Sequence, residues 1–78
     1  MSKSRLDQSI LKTLRESYLL GVQAVALFPE SDKRHWSGHQ QAANASATVL
    51  ALFGGAAADA LREEGLKECE RIRARVRA

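Results

Sequence analysis

The sequence predicts an all-α fold, a small bundle of three helices completed by a second copy of the chain. Apolar residues recur at three- and four-residue spacing over long runs, and no two-residue alternation persists long enough for a strand. Glycine and proline punctuate the chain at three places: Pro29, Gly54-Gly55 and Gly65. The homodimer is expected from size. A chain of 78 residues buries only roughly 60% of its unfolded surface. With one cysteine it has no disulfide to compensate, so self-association is the remaining source of apolar contact.

The first helix is expected from about residue 5 to residue 28. Ser4 with Asp7 three residues on resembles a capping box, with Asp in place of the longer Glu or Gln. Leu11, Leu14, Tyr18, Gly21, Val25 and Phe28 then form a seam stepping by three and four. Leu20, Ala24 and Leu27 widen it, as a bundle helix requires. Pro29 ends the helix, because the residue before a proline avoids helical angles.

The second helix is expected from about residue 32, or from residue 37, to residue 53, with Ser31, Asp32 or Ser37 as its cap. Gly38, Ala42 and Ser46 make one row of small side chains; Ala43, Ala47, Ala51 and Gly55 make another. Such rows let two helix axes approach closely. Residues 35–58 carry no charged side chain, so this helix is read as the buried centre of the assembly. Its Ala43, Ala47, Leu50 and Phe53 join Leu11, Leu14, Tyr18 and Val25 as core or dimer contacts.

The third helix is expected from about residue 56 to residue 77, with Leu61, Gly65, Cys69, Ile72 and Val76 along one face. Acidic residues gather early and arginines late, which complements the helix dipole. Glu63 with Lys67 and Glu68 with Arg71 are favourable helical pairs. Gly65 is the one place where this helix could stop, with Leu61 and Leu66 as the contact of a Schellman motif.

Composition narrows the function. The formal net charge of +3 is unevenly spread: residues 56–70 carry −3 and residues 71–78 carry +4. Arg71, Arg73, Arg75 and Arg77 are therefore candidates for contact with an acidic partner or nucleic acid. Their alternation by two spreads them round the helix, and no Asn, Gln, Ser or Thr is interleaved to read bases, so nucleic acid is the less favoured partner. His35 and His39 share a helix face. They lack a third ligand, and Trp36 stands where a zinc protease motif has Glu, so no metal is expected. Cys69 is expected to be a small, inert, buried side chain.

Glu63 and Glu64 are adjacent and so point about 100° apart, which prevents them from sharing a site. No catalytic set or phosphate-binding loop emerges, so the chain is expected to be no enzyme and to need no cofactor. The apolar stretch from Ala47 to Ala58 is too short to span a bilayer. One cysteine and a polar start of the chain suit the reducing cytoplasm. The leading expectation is a small regulatory protein, of inhibitor or adaptor type, that binds another protein. Lys33, Arg34, His35 and Trp36 would form the contact, read as an exposed loop that mixes charge with a large aromatic, although Trp36 taken alone also reads as a packing anchor of the core. The alternative is a dimeric nucleic-acid-binding regulator that uses the arginine tip.

Overall fold

The computed structural model describes residues 5–77, so the Ser4 capping box lies outside the described residues. Three helices follow one another, α1 (Arg5–Leu27), α2 (Lys33–Phe53) and α3 (Gly55–Arg77), and no strand occurs among the described residues. Cross-helix contacts fix their directions. Gln41 reaches the carbonyl of Ser17 and His35 that of Phe28, so α2 runs antiparallel to α1. Arg15 meets Glu64 and Gln23 meets Glu68, so α3 runs parallel to α1.

The first turn forms where proline and a capping carboxylate require it. The Asp32 amide donates to the Pro29 carbonyl at 2.9 Å. The Asp32 side chain then accepts from the Arg34 amide at 2.8 Å, so Asp32 is the cap that starts α2. The second connection has almost no loop. Gly54 adopts φ +94°, a left-handed angle that other residues rarely adopt. Its N–H closes α2 on Leu50 at 3.1 Å, and its carbonyl opens α3 by accepting from Ala58 at 3.2 Å.

α1 and α2 cross at glycine. A Cβ added to Gly21 would lie 2.4 Å from the Gly38 carbonyl oxygen and 2.8 Å from the Ala42 nitrogen. The row Gly38, Ala42 and Ser46 thus faces inward, with Gly38 and Ala42 buried. The other row is not part of the interior of this chain. Ala43, Ala47 and Leu50, expected in the core or a dimer contact, are exposed on this chain, as is Ala51. Only one side of α2 can meet the glycine notch of α1, and the Gly38 side takes it. The penalty for overpacking therefore falls on Gly21 and Gly38; Ala47→Leu would not crowd the interior of this chain.

Val49, Ala58 and Leu61 form the centre of the core beside the Gly54 hinge, with Leu11, Leu14, Tyr18 and Phe53 packed against them. α3 continues through Gly65 without a break. The Tyr18 ring lies against that glycine, where a Cβ would come within 2.5 Å of Cε2. Gly65 therefore makes room for a ring and does not end the helix. Val76, expected on the apolar seam, is exposed.

The bundle is long and thin, with extents of 45 × 24 × 19 Å and a radius of gyration of 13.4 Å. Roughly 11.5 Å is usual for a globular chain of this length.

Candidate functional site

Two regions carry the sequence candidates. The first is the turn between α1 and α2. Lys33, Arg34, His35 and Trp36 lie in the first turn of α2, not in a loop. His35 is buried, at 7% exposure, which removes it from any contact surface. Its ring sits 2.8 Å from the Phe28 carbonyl. A carbonyl only accepts, so Nδ1 carries the proton and donates. This bond satisfies a buried polar group and locks the turn.

Arg34 is exposed but already engaged. Its Nη2 donates to Asp32 at 2.7 Å, and its guanidinium stacks 3.9 Å from the centre of the Phe28 ring. Lys33 is exposed. Trp36 is half exposed, at 53%, while its indole Nε1–H donates to the Glu30 carbonyl at 2.7 Å. Its ring also meets His35 edge-on, with the ring centres 4.8 Å apart. Trp36 is therefore an uncovered apolar surface held in one orientation.

The second region is the side of the bundle where α2 and α3 lie next to each other, away from α1. By helical spacing Trp36, Ala43, Ala47 and Leu50 fall on one side of α2. All four are exposed. Asp59, Arg62, Leu66 and Arg73 fall on one side of α3 and are exposed too. Between the helices runs an open groove of about 320 Å³, floored by Tyr18, Val22 and Val25 and walled by Ala43, Leu66 and Cys69. It exists because the facing walls carry small side chains at Ala43, Ser46 and Gly65, which leave the space between α2 and α3 unfilled. Burial pushes the Tyr18 hydroxyl above its ordinary value, opposed by the charge of Arg62.

Leu66 was legible only as a possible stop contact beside Gly65. A leucine off the apolar seam of a charged helix was the available signal. Cys69 is half-buried and not fully enclosed. It shares the groove with His39.

At the C-terminal end, Arg71 is tied to Glu68 at 2.9 Å. Arg73, Arg75 and Arg77 are exposed and form no ion pair among the described residues. The expected Glu63–Lys67 pair also does not form. Among the described residues, no three His, Cys, Asp or Glu side chains gather to hold a metal ion. No helix there is long and apolar enough to cross a membrane.

The ion pairs tie structure to pH. Hydrogen bonds from the Arg34 side chain and amide hold the Asp32 carboxyl down at about 2, against an ordinary 3.8. Arg15, bonding Glu64 across α1 and α3, and Arg71, bonding Glu68, hold those carboxyls below their ordinary values as well. A depressed carboxyl stabilises the fold above its unfolded value, and that stability is lost as pH falls through the folded one. Stability is therefore expected to be level near neutrality and to decline below about pH 4. Circular dichroism melts along an acid titration check this, and Glu64→Gln should flatten the decline.

No protein family matches the chain, and neither the curated proteins nor the solved structures give a match.

Proposed function

We propose that the chain is a small non-catalytic interaction protein, of inhibitor or adaptor type, that acts by binding another protein chain and works as a dimer. Trp36 carries this reading. It is a large aromatic, held by its own N–H, at one end of an uncovered face that continues through Ala43, Leu50 and Leu66. A ring already fixed loses little freedom when covered, which is why such residues dominate binding energy. Lys33 beside it supplies charge at the rim. A reducing compartment such as the cytoplasm suits the single cysteine.

A photo-crosslinking residue placed at Lys33, exposed beside Trp36, in the native cells tests the reading and keeps the indole in place. A discrete protein adduct is expected at that position, and none at Lys12, which is exposed on α1. The same background at both positions would end the proposal. The unpaired Arg73, Arg75 and Arg77 favour a second reading, contact with nucleic-acid phosphates. A salt-dependent shift of duplex DNA that is lost in Arg75→Gln, Arg77→Gln would support it.

A further inference from the structure

The geometry points to a second copy of this chain as the occupant of the α2–α3 face, packed antiparallel about an axis through Leu66 and Ala43. This rests on the reading of the Trp36 face as a docking surface, and makes a second copy, in place of a different protein, its occupant.

The first argument is area. The chain exposes 5655 Å². A folded chain of this mass ordinarily exposes roughly 4,700 Å². The excess, roughly 950 Å², is close to the roughly 800 Å² that each partner buries in a stable interface. On this face the exposed large apolar side chains are Trp36, Leu50 and Leu66, at 53%, 51% and 67% exposure; Leu20 and Leu27 of α1 are exposed as well, so charge must choose the face.

The second argument is charge. In a two-fold interface residue i meets residue j and j meets i, so one patch must complement itself. On α3, Asp59 and Arg73 lie seven residues on either side of Leu66, and Arg62 and Glu70 lie four on either side. Antiparallel packing about Leu66 therefore sets Arg73 against the partner's Asp59 and Arg62 against the partner's Glu70. Each contact occurs twice. Arg73 has no ion pair within its own chain among the described residues, and Asp59, 73% exposed at its side chain, holds only Arg62. A parallel arrangement would instead place the arginine tips side by side.

The third argument is that α2 obeys the same symmetry. Trp36 and Leu50 lie seven residues on either side of Ala43. Ala43 and Leu66 wall the same groove, so one axis passes both. Trp36 then covers the partner's Leu50. The small side chains of Ala43 and Ala47 at the centre let the two α2 helices approach.

Sedimentation equilibrium at micromolar concentration tests the proposal. The wild-type chain should sediment at twice its 8.6 kDa. Leu66→Glu should sediment at 8.6 kDa. Its helical circular dichroism should be unchanged, since Leu66 is exposed on the single chain. R73E alone and D59R alone should each weaken association roughly tenfold, because two symmetric pairs are lost together. The double variant should recover it. A dimer indifferent to Leu66→Glu, or a double variant no tighter than the single ones, would overturn the register. A monomeric wild-type chain, with the Lys33 probe still crosslinking to a different protein, overturns the second copy and leaves the docking reading intact. A monomer with no adduct removes both.

Discussion

Leu61→Ala is expected to remove most of the stability of this protein. Leu61 is 5% exposed and belongs to the three-residue centre of the core with Val49 and Ala58. Both neighbours are already small for a core, and Ala58 has no side-chain length with which to refill the space. Truncating a buried leucine costs about 2–5 kcal/mol, and the upper part of that range applies where the surroundings cannot collapse. α2 and α3 are joined here by a hinge without a loop, so the site collapses poorly. A chain of this length has about 4–12 kcal/mol in total. Chemical denaturation of the variant should show a midpoint far below wild type, or no cooperative transition. A loss under about 1 kcal/mol would mean that the packing at the hinge is looser than described.

Gly21→Ala is expected to destabilise although alanine is the better helix former. The gain in helix propensity is about 1 kcal/mol. Against it, the new Cβ would stand 2.4 Å from the Gly38 carbonyl oxygen and 2.8 Å from the Ala42 nitrogen. Both are backbone atoms, which no rotamer change can move, so α1 and α2 must separate along their contact. Overpacking of this kind costs about 1–3 kcal/mol. Each kcal/mol lowers the melting temperature by roughly 4–8 °C in a domain of this size. A thermal melt of Gly21→Ala equal to or above wild type would contradict the crossing at Gly21 and Gly38. The corresponding change at Gly55 meets no atom within 4 Å and is the control.

These two sites show what the sequence could disclose. The seam of α1 was legible because its apolar steps contrast with Lys12, Arg15 and Glu16. Pro29 and Gly54 mark the helix ends because each imposes a backbone angle. In α2 the contrast is missing. With no charge from residue 35 to residue 58, two rows of small side chains look equally fit for burial. The Gly21 notch chooses between them, and that choice needs the partner helix in place. His35 was read as part of an exposed, charged loop; the Phe28 carbonyl that its ring meets comes within reach only when the turn closes. Trp36 was read as a packing anchor or a contact residue, and it stands half exposed; the groove beside Leu66 was not legible. It depends on how far α3 stands from α2, which no spacing along the chain encodes.

The proposal that the α2–α3 face is the contact surface of this protein is tested most directly by an isotope-filtered nuclear Overhauser experiment. Equal parts of carbon-13-labelled and unlabelled chain are mixed, and only contacts between copies are observed. The expected result is cross-peaks between the Trp36 indole and the partner's Leu50 methyl groups, together with Leu66 to the partner's Leu66. Contacts between copies confined to Leu20 and Leu27 of α1, or the absence of any, would contradict it.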